Sequence, residues 1–138
     1  MKILTVLLIF SAAVFAGPKE DLQNQRNKLN LELTKERLKV IEKDGDLNIL
    51  HNNILRTHGR LATILAKHPE IVKNKDLKEP ELSKLKLKLL NEDEDIRDIK
   101  VSLVKMHRKL EAGLMKDPQI KELTERLDSL DFRLSRLK

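Results

Sequence analysis

The fold is decided by residues 44–71, which read DGDLNILHNNILRTHGRLATILAKHPEI. An acidic turn opens this stretch, and Pro69 closes it because a residue before proline is pushed out of helical dihedral angles. Between them, aliphatic residues recur three, four or seven positions apart: Leu47, Leu50, Ile54, Leu61 and Leu65, with Leu55 and Ile64 widening the stripe. This spacing places them on one face of a helix. The pattern predicts an amphipathic helix that packs against another helix.

The same pattern returns 49 residues later, in residues 93–120, which read DEDIRDIKVSLVKMHRKLEAGLMKDPQI. The shift aligns residues of the same class: Leu47 with Ile96, His58 with His107 and Pro69 with Pro118. At half that spacing, a short turn followed by an aliphatic residue recurs at positions 22, 47, 71, 96 and 120. A fixed period in this range is typical of stacked supersecondary units. We therefore predict an internal repeat of about 49 residues, over 22–70, 71–119 and a partial copy at 120–138; the alternative is chance agreement within a Leu- and Lys-rich composition.

The remaining segments also have helical patterns. Residues 20–43 carry a less regular aliphatic stripe, and residues 74–81 contain a predicted loop and a new helix start before a short helix over 82–91. The expected fold is all-α: an antiparallel helical bundle or a short αα-hairpin repeat array, with about five helices after a cleaved signal peptide. The alternative is a long, bent coiled-coil rod in which Pro69 and Pro118 only kink the helix.

The last segment carries the most regular stripe. Its aliphatic residues step by three and four: Ile120, Leu123, Leu127, Leu130, Leu134 and Leu137. Asp117 is a predicted N-cap, with Pro118 at the first helical position. Because charged residues fill the other faces, the pattern is typical of a seam between helices. We predict that this stripe either docks within the chain or mediates self-association.

Residues 1–16 are predicted to be a signal peptide. A basic start precedes an apolar run at 3–10, and small residues precede a predicted cleavage site between Ala16 and Gly17. The run is shorter than the about 20 residues that span a bilayer; the alternative is an uncleaved anchor. The mature helical domain, 17–138, is therefore expected to be secreted or periplasmic. Since the sequence has no Cys, it is expected to fold without disulfides.

The composition of the mature chain argues against nucleic-acid binding and catalysis. Without Lys2 it has 27 basic and 22 acidic residues, an excess of five positive charges, and both signs are interleaved as on a solvated helix surface. Phe132 is the single aromatic residue of 17–138, so stacking platforms for single strands are missing. The sequence also lacks a Gly-flanked nucleophile and a phosphate-binding glycine loop. We predict no enzymatic activity, no nucleic-acid partner and no cofactor.

Histidines are the candidates for metal binding. His58 and His107 are equivalent under the 49-residue shift, so in a pseudo-symmetric bundle they can approach each other. A zinc or copper site there would need a carboxylate beside them, because no Cys can complete it. The alternative is that both are boundary residues of common origin. The acidic run at 92–95 lacks the ligand spacing and turn glycine of a calcium loop, and it predicts helix capping instead.

These features favour an exported, non-enzymatic α-helical binding or structural protein of the adhesin, chaperone or envelope-scaffold kind. It would act through a helix face. Its expected partner is a protein, either a second copy in a homo-oligomer or another envelope or extracellular protein. Two alternatives remain: an amphipathic protein in peripheral contact with an anionic membrane surface, and a histidine-dependent metal-binding helical protein.

Overall fold

The computed structural model describes residues 17–137, and the predicted signal peptide lies outside them. Within this range the chain forms six α-helices and no strand: α1 (Pro18–Lys43), α2 (Gly45–Lys67), α3 (Pro69–Lys73), α4 (Glu79–Glu92), α5 (Glu94–Leu114) and α6 (Pro118–Ser135). The predicted all-α helical bundle is confirmed. The third predicted segment forms two helices, α3 and α4, because the loop and new start expected at 74–81 separate them.

Side chains cap the N-termini of α2, α3, α5 and α6. Three carboxylates accept hydrogen bonds of 3.0 Å from backbone amides two or three residues ahead, and an imidazole accepts one of 3.2 Å at the start of α3. The capping residues are Asp44, His68, Asp93 and Asp117. Each is the first residue of a recurring turn in the sequence. The recurring turn therefore satisfies amides that the start of a helix leaves unpaired.

The helices are interrupted at Pro69 and Pro118. The residue before each proline has extended dihedral angles, with φ −61° and ψ 133° at His68 and φ −76° and ψ 123° at Asp117. Each proline then opens the next helix, where its missing N–H removes no hydrogen bond. At each proline, therefore, one helix has ended and a new helix begins.

The described chain divides into two compact units: residues 17–39 with 117–137, and residues 40–116. In the first unit, an ion pair between Arg26 and Asp131 joins α1 to α6. The hydrogen bond and charge of Asp131 raise the pKa of Arg26, against a smaller opposing effect of burial. The buried side chains of this unit are aliphatic: Leu22, Leu29, Leu33, Ile120 and Leu123.

In the second unit, α2 and α5 run antiparallel. Leu47, at the start of α2, lies against Gly113 at the end of α5, and His58 contacts His107 between those ends. A Cβ at Gly113 would collide with Cδ2 of Leu47, so the glycine permits this close approach. A cluster joins α3, α4 and α5 through Ile71, Leu89 and Ile96, and half-buried residues of α2 and α4 pack on it: Leu61, Ile64, Leu65, Leu82, Leu85 and Leu90.

The aliphatic stripe of α5 is mostly buried, whereas that of α2 is buried at Leu47 and Ile54 and mostly half-buried elsewhere. In α5 the buried members are Ile96, Leu103, Leu110 and Leu114. Leu55 of α2 was expected to widen its stripe, but it is 55% exposed, because it lies about 100° around the helix from buried Ile54. Among residues 17–137, no helix is both long and apolar enough to cross a membrane. The 49-residue repeat and the coiled coil stay predictions.

Candidate docking surfaces and the histidine pair

The predicted interaction stripe of α6 is buried at its start and open at its end. Ile120 and Leu123 are 0% and 2% exposed. The next three members of the stripe are half-buried: Leu127, Leu130 and Leu134. Leu137, just past the helix, is 43% exposed. The first part of the stripe therefore packs within the chain, while the later part is accessible to a partner.

A cleft of about 400 Å³ lies between α1 and α6, within the first unit. Leu29 and Leu130 supply its apolar lining, which includes one member of the predicted stripe. The charged lining carries both signs: Lys28, Glu32, Arg126 and Arg133. Because of this mixture, the cleft indicates no ligand of one particular charge.

A second groove, of about 290 Å³, lies between the end of α4 and the side of α5, within the second unit. We name it the basic groove. Its apolar lining is Leu90, Val101 and Val104, and its polar lining is Asn91, Arg97, Lys100, Lys105 and Arg108. The lining thus combines an aliphatic floor with four cations and no carboxylate.

The basic groove is accessible and its charges are not neutralised by ion pairs. Val101 and Val104 are 46% and 43% exposed, which is high for aliphatic side chains in the middle of a packed helix. Lys100 Nζ donates a hydrogen bond of 3.1 Å to Asn91 Oδ1. Across residues 17–137, none of the four cations forms an ion pair with a carboxylate. Their charges are available to a ligand.

The sequence patterns did not predict the basic groove, although a signal for it exists. Arg97, Val101, Val104 and Arg108 are spaced by four, three and four positions, so they lie along one face of α5. That face is displaced from the buried stripe. The stripe was the stronger pattern, and a cationic face on a helix is usually read as solvated surface.

The structure brings together the two histidines that the sequence singled out. The Nε2 atoms of His58 on α2 and His107 on α5 are 3.1 Å apart. Their ring centroids are 5.4 Å apart, with the ring planes inclined at 62°, and both side chains are exposed. Within the described range, no cluster of three or more His, Cys, Asp or Glu residues could hold a metal ion. The carboxylate that a zinc or copper site would need beside the pair is therefore not found among these residues.

A third histidine, His68, links two helix starts. Its Nδ1 accepts the Glu70 amide hydrogen, which leaves the ring hydrogen on Nε2, 3.3 Å from Asp93 Oδ2. Asp93 in turn caps α5 by accepting from the Ile96 amide. The pKa of Asp93 is lowered mainly by that amide hydrogen bond; burial opposes the shift, and the hydrogen bond with His68 adds to it.

Replacing Asp93 by Asn is expected to reduce the amount by which the free energy of unfolding falls on acidification. Because the folded pKa of Asp93 is lowered, its carboxylate contributes stability that is complete above the unfolded pKa, about 3.9 for Asp, and lost as the pH falls through the lowered value. Asn keeps an oxygen that can cap α5 but does not titrate. Urea unfolding midpoints between about pH 6 and about pH 2 measure the difference.

The matched control for this experiment is Asp128→Asn, since Asp128 is exposed and lies within α6, away from its capping position. It should leave the pH dependence of the wild type unchanged. If Asp93→Asn and the wild type lost stability in parallel on acidification, the role given to the Asp93 carboxylate would be wrong.

The chain matches no protein family, no curated protein and no solved structure. Its function is therefore inferred from its own residues.

Proposed function

We propose that this chain is an exported, non-enzymatic α-helical binding protein whose basic groove docks an acidic amphipathic helix of a partner protein. The observation that carries the proposal is the composition of the groove. Two exposed valines, Val101 and Val104, lie among four cations that have no ion-pair partner among residues 17–137. Exposed aliphatic area gives affinity when it is buried, and charges around it fix the orientation of a partner.

The groove also determines the chemistry of its occupant. From Arg97 to Arg108 the lining runs for about 17 Å along α5, at 1.5 Å per residue, which is about three turns of a docked helix. Aliphatic residues of the partner at i, i+3 or i+4, and i+7 would meet the floor. Glu or Asp residues on both sides of them would meet the four cations.

The aligned positions of α2 carry this surface only in part: Leu55 and Arg56 stand 49 residues before Val104 and Lys105, but other positions differ. Asn52 and Gly59 stand 49 residues before Val101 and Arg108, so the first predicted copy lacks the floor valine and the cation at these two positions. The predicted duplication accounts for the shared buried stripe and helix caps. It does not account for Val101 and Arg108, which only α5 carries, and this difference favours recognition as the role of that face.

Export and the absence of catalysis are supported by sequence features alone. The basic start, apolar run and small residues of 1–16 favour cleavage before Gly17. The composition offers no arrangement of nucleophile and base. Extracytoplasmic protein partners are therefore the class in which an occupant of the basic groove should be sought.

The test uses the chain from Gly17 and a fluorescein-labelled helical peptide of about five turns, with Leu at i, i+3, i+7 and i+10 and Glu on the flanking positions. Fluorescence anisotropy should show saturable binding. Arg97→Glu with Arg108→Glu should raise the Kd by at least about 30-fold, because two attractive contacts become repulsive. Val101→Asn, which introduces the residue found at the aligned α2 position, should raise the Kd by about 5-fold.

The matched control is Arg56→Glu with Arg60→Glu, since both arginines are exposed on α2 and the change in net charge is the same. It should alter the Kd by less than about 3-fold. Equal weakening by the two double variants would mean that only net charge attracts the peptide. Salt-sensitive sedimentation with phosphatidylglycerol vesicles, together with no peptide binding, would favour a membrane surface and overturn the proposal.

A further inference from the structure

The end of α6 has a symmetric sequence that the function proposed above does not use. Residues 127–137 read LDSLDFRLSRL. Counted in both directions from Phe132, each Leu is matched by a Leu, each Ser by a Ser and each Asp by an Arg at the same distance. Two copies of this segment that run antiparallel about Phe132 would therefore place opposite charges at every charged position.

Part of the segment is engaged within the chain. Asp131 pairs with Arg26, and Arg133 lines the cleft between α1 and α6. Leu130 and Leu134 belong to the half-buried stripe, about 160° around the helix from Phe132. On the side of Phe132, three exposed residues are spaced four positions apart, and we name them the outer row: Asp128, Phe132 and Arg136.

The outer row contains an exposed ring and an unpaired carboxylate. Phe132, the single Phe, Tyr or Trp of residues 17–138, is 59% exposed. The guanidinium carbon of Arg136 lies 4.6 Å from the centre of its ring, a distance typical of a cation–π contact. Asp128 forms no ion pair among residues 17–137. Eight helical residues, or about 12 Å, separate it from Arg136, so the two charges of one chain do not meet.

A second copy of α6 in the antiparallel direction satisfies both groups. Residues four apart form the ridges that pack alongside each other when two helices cross at about 50°, the most common class of helix packing. With the two Phe132 rings at a twofold axis, Asp128 of each copy lies beside Arg136 of the other. A parallel pairing would instead bring like charges together. Ser129 and Ser135 are exposed and small, so they allow the helices to approach.

We propose that the chain forms a homodimer in which the outer rows of two copies pack antiparallel about a twofold axis at Phe132, with two Asp128–Arg136 ion pairs between the chains. Each copy contributes the same surface. A single helix crossing buries less than about 1,200 Å², which is typical of transient contacts, so we expect a Kd of about 100 μM. At about 5 μM the chain is then mostly monomeric, and urea unfolding reports on single chains.

The test is sedimentation equilibrium of the chain from Gly17 at low salt, between about 10 μM and about 1 mM. The apparent mass of the wild type should rise towards that of two chains. Asp128→Arg and Arg136→Glu should each raise the Kd at least about 10-fold, because both attractions between the chains become repulsions. An equimolar mixture of the two variants should restore the Kd to within about 3-fold of the wild type, since one chain then carries two cations and the other two carboxylates.

The matched control is Glu122→Arg, which changes the net charge as Asp128→Arg does. Glu122 is exposed and lies about 80° around α6 from Phe132, so its replacement should alter the Kd by less than about 3-fold. Phe132→Ala should raise the Kd about 10-fold. Far-UV circular dichroism verifies that each variant is folded, and Phe132→Ala with Asp128→Arg decides the question if Arg136→Glu loses helix.

Any of three results would overturn the dimer: a wild type that sediments as a single chain at about 1 mM, association unchanged by Asp128→Arg, or a mixture that associates no better than either variant alone. A dimer that Leu134→Asp abolishes and Phe132→Ala preserves would place the contact on the stripe, which also contradicts the proposal. No residue of the outer row lines the basic groove, so the peptide-binding result stands or falls separately.

Discussion

Ile96→Ala is expected to lower the free energy of unfolding by about 3 kcal/mol. Ile96 is 1% exposed and belongs to the cluster it forms with Ile71 and Leu89. Truncating it leaves a cavity where α3, α4 and α5 meet, and the cost of that cavity adds to the lost transfer free energy. The higher helix propensity of Ala recovers only a few tenths of a kcal/mol. Urea denaturation followed by far-UV circular dichroism measures the loss.

The control for Ile96→Ala is Ile49→Ala, which removes the same atoms from a side chain that is 62% exposed. Its effect should stay within about 0.5 kcal/mol. Similar losses for the two variants would show that α5 does not pack through Ile96. A smaller m-value in Ile96→Ala alone would indicate that the unit of residues 40–116 no longer unfolds as a whole.

The stability cost of truncating residues of the α6 stripe to Ala should decrease from the start of the stripe to its end. Ile120→Ala is expected to cost about 3 kcal/mol, because Ile120 is 0% exposed and its environment can collapse only partly. Leu134→Ala, at a half-buried position, should cost about 1 kcal/mol. Leu137→Ala should cost less than about 0.5 kcal/mol, since Leu137 is 43% exposed. The measurement is again urea denaturation.

Sedimentation equilibrium of a further variant, Leu134→Asp, separates the two roles predicted for the stripe. If the open part mediates self-association, Leu134→Asp should lower the apparent mass from that of an oligomer to that of a single chain. If the stripe serves only intramolecular packing, wild type and variant should sediment as the same species. Equal costs at Ile120 and Leu137 would contradict the gradient of burial.

The helix starts and the buried faces were predictable because both depend on local rules. A carboxylate or imidazole before a helix satisfies amides two or three positions away, so the recurring turns at Asp44, His68, Asp93 and Asp117 could be found without knowledge of the fold. The three-and-four spacing likewise predicted that Ile96, Leu103 and Leu110 would be buried. Only the first recurring turn fails as a start, because α1 already begins at Pro18.

The surfaces were less predictable, since they depend on which helix lies beside which. Periodicity predicts that a face is buried but does not predict what covers it. The lining of the basic groove comes from α4 and α5 together. The sequence around Leu90 does not indicate that Leu90 and Arg97 line the same groove. The approach of His58 to His107 could be anticipated because an aligned pair can meet on a pseudo-symmetry axis. Their separation of 3.1 Å required the antiparallel packing itself.

That antiparallel packing has an evolutionary consequence. His58 and His107 meet through identical atoms, as the same residue of two subunits would in a homodimer with twofold symmetry. In a homodimer, every mutation is copied onto both sides of the axis. In one continuous chain, each side mutates alone. Both helices can then keep their buried faces while only one of them acquires arginines and valines on its outer face. No second basic patch arises on the other helix.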